Sequence, residues 1–168
     1  MLLKKLSQEN VAFCKNIYTS SFPNKERREW EDIISLNSTS YFSFFEITFE
    51  NISIGIISIW QFDNFIYIEH FAIEKELRNK GFGKKTIELI KQNISASIVL
   101  EVEIPDNDIA KKRVNFYKRC GFSLLPNQYT QPPYNSTLPS VEMRIMTTIS
   151  LDFETIKSTL YKRVYNQA

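Results

Sequence analysis

The chain predicts a mixed α/β fold in a single domain, and three observations predict it. The apolar period changes from two to 3.6 on either side of Ile73–Gly83, as a strand followed by a helix requires. Short polar connections separate three consecutive strand-like runs in the middle of the chain. No internal repeat or linker interrupts the 168 residues, a length at which one core suffices without staples. The composition agrees: 43% hydrophobic and 24% charged residues are ordinary for a globular domain, and 13 Phe with 8 Tyr predict a core rich in rings.

In order, residues 1–6 read as a short strand. Ser7 is a candidate N-cap for a helix to about Thr19, with Val11, Cys14, Ile17 and Tyr18 on one face. Pro23 opens a second helix, Asn24 to about Leu36, carrying Trp30, Ile33 and Ile34, and Asn37-Ser38-Thr39-Ser40 is a loop. Tyr41–Phe49, Ile52–Trp60 and Phe65–Ile73 are strands whose tight connections imply an antiparallel meander. Gly83–Asn93 is a helix with an Ile87, Ile90, Ile94 stripe, and Ile98–Ile104 is the next strand. Asp106-Asn107-Asp108 caps a helix from Ile109 to Cys120, with Gly121 just past its end. Phe122–Leu125 and Val141–Thr148 form a wide final hairpin around the Pro-, Asn- and Tyr-rich residues 126–139, and Asp152–Tyr165 is a closing helix with Ile156, Leu160 and Val164 on one side.

Several classes of function are disfavoured. A net charge of +2 without a dense basic block gives no nucleic-acid surface, and Lys111-Lys112-Arg113 reads as a solvated helix face. Cys14 and Cys120 match no CxxC spacing and read as buried thiols of a reduced cytoplasmic protein. Lys4 and Lys5 precede no apolar h-region, so no leader is expected, and apolar runs of strand length predict no membrane span. Residues with metal-ligand spacing are absent from the sequence.

The most informative stretch is Arg78-Asn79-Lys80-Gly81-Phe82-Gly83. Two of only 4 glycines lie two residues apart where a strand hands over to a helix, a place where backbone N–H groups and the helix dipole favour an anion. A dinucleotide fingerprint needs a third Gly where Thr86 stands. A P-loop needs Gly at the position of Arg78 and Ser or Thr at that of Lys85. What remains is R-x-x-G-x-G after a strand meander. Phe116-Tyr117-Lys118-Arg119-Cys120-Gly121-Phe122 follows at the end of a later helix, preceded by Ala110, Arg113 and Val114 in an A-x-x-R-[IV]-x-F-Y pattern.

Together these motifs resemble the GNAT superfamily of N-acetyltransferases over roughly Tyr41 to Met146. The resemblance implies a central, mostly antiparallel sheet with a splayed parallel pair (Glu69–Ile73 beside Ile98–Ile104), flanked by helices. It implies a GNAT domain over residues 1–148 and a C-terminal helical extension over 149–168, packed on that domain or used for association. It implies acetyl-CoA as co-substrate: Arg78, Asn79, Lys80, Gly81, Phe82, Gly83 and Lys84 around the pyrophosphate, backbone N–H groups of Phe71, Ala72 and Ile73 along the pantetheine, and Asn115 beside the cofactor. Tyr117 holds the position of the family's general acid, or is a packed ring with a satisfied hydroxyl. The general base is Glu101 or Glu69, either of them acting directly or through water, or neither, with a water chain draining the proton. His70, the sole histidine, reads as structural, on the opposite face of its strand from Glu69.

The acceptor side, by the same resemblance, lies on Phe22–Trp30 and on Tyr129–Tyr134, and Glu26, Glu29 and Glu101 suit a cationic amine. The expected activity is acetyl transfer to a primary amine of a small molecule or peptide in a ternary complex, in a cytoplasmic monomer or homodimer with no nucleic-acid or membrane partner. The alternative is a non-catalytic module that senses acyl-CoA. Cys120 is too committed to a helix end to suggest an acyl-enzyme.

Overall fold

A two-residue reversal organises the N-terminal sheet. Glu50 and Asn51 both take left-handed φ values, 50° and 63°, the geometry that matches the twist of paired strands. They turn Phe42–Phe49 (β2) back as Ile52–Gln61 (β3). Phe65–Ile73 (β4) pairs antiparallel with β3, and Leu2–Lys5 (β1) with the other edge of β2. The meander is therefore as expected. At Gly55 the β3 backbone comes so close to β4 that a Cβ would stand 2.3 Å from the Ala72 carbonyl oxygen, so only glycine fits there.

The computed structural model describes residues 1–167. It comprises two compact units, Met1–Ala96 and Ser97–Ala168. The first holds β1 to β4 with the helices Val11–Ser21 (α1), Trp30–Leu36 (α2) and Phe82–Asn93 (α3). Its core is Tyr18, Ile33, Phe42, Phe44, Ile56, Ile57 and Trp60, all buried, so the abundant rings are used as the composition predicts.

Two N-terminal expectations are corrected. The first helix begins after Asn10, not after Ser7, because the Asn10 side chain is used to tie β1 to the sheet. It accepts the Ser7 N–H (2.8 Å) and donates to the Lys5 carbonyl and to Glu46. The second helix is not continuous from Asn24. A single turn at Asn24–Glu26 gives way to extended backbone at Arg27 and Glu29 before α2 starts. Arg28 explains the break. Its N–H donates to the Tyr18 hydroxyl (2.9 Å) while its side chain is drawn inward, and a helical Arg28 could not satisfy both.

The second unit carries Ser97–Glu103 (β5), Asp108–Arg119 (α4), Ser123–Leu124 (β6), Tyr129–Gln131 (β7), Val141–Thr147 (β8) and Phe153–Arg163 (α5). β8 is its central strand, pairing antiparallel with β5 on one edge and with β6 and β7 on the other. The strand β7 lies inside the stretch expected to be a loop. It is three residues long and paired along one edge only, so the neighbouring Pro132 and Pro133 do not interrupt a ladder. Ile156, Leu160 and Val164 of the closing helix are buried as its stripe predicts. Among the described residues no helix is long and apolar enough to cross a membrane, and both cysteines are buried and outside any disulfide. Burial pushes the Cys14 thiol up to about 12, with help from Glu46, so it carries no reactive thiolate.

Candidate active site

In the first unit the chain between β4 and α3 builds an anion cradle. Asn79 and Gly81 are left-handed, with φ of 62° and 85°, and flank Lys80, which is not. Alternation of this kind turns successive N–H groups to one side. A Cβ on Gly81 would meet nothing within 4 Å, so the demand on this glycine is its φ and not space. The first backbone bond of α3 is Lys85 N–H to Gly81 C=O (3.1 Å), and no side chain caps the helix. The N–H groups of Phe82, Gly83 and Lys84 thus lie ahead of the ladder, at the positive end of the helix dipole. Arg78 braces the turn, its Nε donating to the Ile73 carbonyl (2.9 Å). Lys85 lies over the paired rings of Phe49 and Phe82, and Lys84 is exposed beside Glu88.

Strand β4 presents its end asymmetrically. The Glu74 N–H bonds the Ile54 carbonyl and Ala72 pairs with Ile56 two residues earlier. Antiparallel alternation therefore turns the Ala72 N–H toward β3 and those of Phe71 and Ile73 away from it.

Glu69 is the bulge residue of that strand. The register passes from Ser58 opposite His70 to Ile59 opposite Ile68, leaving Glu69 without a counterpart. The bulge overturns the expectation that Glu69 and His70 face opposite ways. Both side chains are buried and 3.7 Å apart. Glu69 accepts from Arg28 Nε (3.0 Å) and Trp60 Nε1 (2.9 Å), with the Arg28 guanidinium 5.4 Å from the Trp60 ring centre. Burial opposes ionisation of Glu69, but Arg28, His70 and the two hydrogen bonds outweigh it and hold the carboxyl below its usual range. Burial lowers His70 and prevails over the pull of Glu69. Its ring lies between Ser58 Oγ and the Glu26 carbonyl, against Tyr18 and Phe22. The histidine is structural, as expected, and it anchors the segment 22–30.

In the second unit Asn107 caps α4, its Oδ1 accepting the N–H groups of Ile109 and Ala110. The buried face then falls on Ala110, Val114 and Tyr117, while Asn115 is exposed. The Tyr117 ring packs edge-on against Phe116 and Phe122. Its hydroxyl makes no hydrogen bond among the described residues. No buried polar side-chain atom there lacks a partner, so that hydroxyl oxygen is not fully shielded from solvent. Burial of the residue pushes the phenol up to about 12, although Arg113 pulls it down, so it stays protonated at neutral pH.

Glu101, on β5, is held by residues the sequence did not single out for it. Tyr129 donates to its Oε1, and Gln131 (2.9 Å) and Tyr165 (2.7 Å) donate to its Oε2. Glu103, two residues on, forms an exposed ion pair with Arg113 instead. The period-two spacing of Tyr129 and Gln131 was the only available signal of this cluster. Nothing local in the sequence marks Tyr165. No group of acidic, histidine or cysteine side chains among the described residues could hold a metal.

The profile described as "Acetyltransferase (GNAT) family" matches residues 11–122. A solved GNAT-family protein from Bacteroides thetaiotaomicron, itself only provisionally called an acetyltransferase, is 35% identical with a TM-score of 0.94, and the match covers 100% of both chains. A provisionally assigned acetyltransferase of Bacillus subtilis (strain 168), YjbC, is 36% identical over 69 residues, which is 40% of this chain and 35% of that protein's length. Arabidopsis thaliana Naa50, solved with the bisubstrate analogue CoA-Ac-MVNAL, shares the fold at 16% identity, with a TM-score of 0.64 over 89% of this chain and 98% of that one.

Proposed function

The chain belongs to the GNAT acetyltransferase family, and from that premise we propose that it moves an acetyl group from acetyl-CoA to a primary amine of a small molecule or peptide, within one ternary complex. The observation that carries this reading is the uncapped start of α3 behind the left-handed residues Asn79 and Gly81. It offers oriented N–H groups to a diphosphate without any side chain to displace. Arg78, Lys80 and Lys84 surround it with positive charge, and the outward N–H groups of Phe71 and Ile73 suit an extended amide-bearing arm. Ala72 contributes shape only, its N–H being turned to β3, and Asn115 is exposed on α4.

When bound, the thioester supplies the acetyl group. The amine nitrogen forms a bond to the carbonyl carbon, the carbon–sulfur bond breaks, one proton leaves the nitrogen and one reaches the sulfur. Tyr117 is assigned to the sulfur. A phenol near 12 facing a thiol of about 8.5 makes complete proton transfer uphill by about 5 kcal/mol, so its role is a hydrogen bond to the charge that develops on sulfur, with the proton following from solvent.

Glu101 is assigned to the amine proton, directly or through water. Glu69 is the weaker candidate, because its carboxylate is sealed in the Arg28 pair, and we assign it to holding the segment 22–30. Glu26 and Glu29 remain on the acceptor side as carboxylates suited to a cationic amine.

Free-thiol release from acetyl-CoA over a panel of polyamines, amino sugars and short peptides tests the activity. Tyr117→Phe lowers kcat by about 10²-fold while KM for acetyl-CoA stays within a factor of two or so. Unchanged kcat removes Tyr117 from the chemistry. Absence of thiol release with every amine, alongside tight coenzyme A binding, favours the sensor module.

A further inference from the structure

We infer that Tyr165, just past the end of the C-terminal helix, acts with Gln131 and Tyr129 as a positioning residue for Glu101, so that α5 is part of the catalytic apparatus and not only a cover for the core. The inference rests on the assignment of Glu101 made above.

The hydrogen bonds of the cluster converge on Glu101. The Gln131 amide nitrogen has two N–H groups, and its two bonds go to Glu101 Oε2 (2.9 Å) and to the Tyr165 oxygen (2.8 Å). Tyr165 accepts from Gln131 and passes its own proton to the same Oε2 (2.7 Å). Tyr129 donates to Oε1, and burial together with the charge of Glu101 raises its phenol, so the proton stays on Tyr129. Two oxygens with three fixed donors have one orientation.

The donors are themselves immobilised. Tyr129, Gln131 and Tyr165 are 1%, 5% and 5% exposed. The rings of Tyr134 and Tyr161 lean on Tyr165 and Tyr129 at 5.4 and 5.9 Å. Glu101 is thus bracketed from β7 and from α5 at once. Satisfying a half-buried carboxylate with three neutral groups is a costly way to fill a core, and aliphatic residues would do it better. The arrangement makes sense for a carboxylate whose direction matters.

The test separates the hydroxyl of Tyr165 from the docking of its helix. Tyr161→Phe is the comparator, because the Tyr161 hydroxyl bonds the Thr130 carbonyl (2.5 Å) and does not touch Glu101. In the full-length, ligand-free protein, the carboxyl 13C resonance of Glu101, identified by its loss in Glu101→Gln, is titrated with acid. Removing a donor from a carboxylate eases its protonation. Tyr165→Phe therefore raises the midpoint by about one pH unit and lowers kcat by about ten-fold with KM for acetyl-CoA unchanged. Tyr161→Phe lowers the melting temperature and leaves the midpoint in place.

An unmoved midpoint in Tyr165→Phe, or an equal movement in Tyr161→Phe, overturns the inference. Full turnover in Glu101→Gln would instead remove the role assigned to Glu101, and that failure is distinguishable because the midpoint shift in Tyr165→Phe would persist.

Discussion

Among single residues, the buried trio of Arg28, Glu69 and His70 has a consequence for stability that can be signed. Both titratable members are held below their ordinary values in the folded protein. His70 is neutral when folded but binds a proton below about 6.5 when unfolded. Its contribution is complete above that value and is lost as pH falls toward the lower folded pKa. Glu69 follows the same sign further down, its contribution disappearing as pH drops below about 4.3. The chain has 1 histidine, so a decline between pH 6.5 and 5 has one obvious source. The unfolding free energy from urea titration should be flat from pH 8 to 7, then fall with a slope of up to about 1.4 kcal/mol per pH unit. In His70→Gln that first decline should vanish while the fall below pH 4.5 remains. A decline of equal size in both proteins would contradict the account of His70.

These residues also show where reading a sequence stops. Tyr117, Gly81 and Glu101 could be named because each sits at a fixed distance within a motif or an alternating strand. Arg28 could not, because its partner lies 41 residues away, and nothing local distinguishes it from the half-buried Arg27 beside it. Tyr165 is 64 residues from Glu101 and escaped for the same reason.

Among elements, those with strong local signals appeared where expected. The Glu50-Asn51 reversal set the register of β2 and β3, and Asn107 with Gly121 bracketed α4. The failures occurred where a side chain spends its hydrogen bonds elsewhere. Asn10 delays α1, Arg28 divides the expected second helix, and the bulge at Glu69 breaks the period of two on which the facing of His70 was judged. The α3 entrance is the element on which function rests. A β-branched side chain at position 81 cannot adopt its φ of 85° without strain. Gly81→Val should reorient the cradle and weaken coenzyme A binding by at least about ten-fold, while destabilising the fold by only about 1–2 kcal/mol. Calorimetric titration of the folded variant reads this. Unaltered affinity would place the diphosphate elsewhere.

Across the whole molecule, the residues proposed for the reaction are the cradle, Phe71, Ile73, Glu101 and Tyr117. The family assignment rests on a profile reaching from α1 to the end of α4, and the closing helix with Tyr165 lies beyond it. The motifs proposed to carry the chemistry are local in sequence and could be read there, whereas the contacts around Glu101 are long-range and could not.

The central claim is that main-chain amides at the start of α3 hold the diphosphate of coenzyme A. Isothermal titration of the native protein with coenzyme A and, separately, with pantetheine, which keeps the thiol arm but lacks the diphosphate, tests it most directly. The account predicts saturable heat with coenzyme A and binding weaker by about 10²-fold or more with pantetheine, as loss of several charge-assisted hydrogen bonds requires. Equal affinity for the two, or no heat with coenzyme A at millimolar concentration, would contradict it.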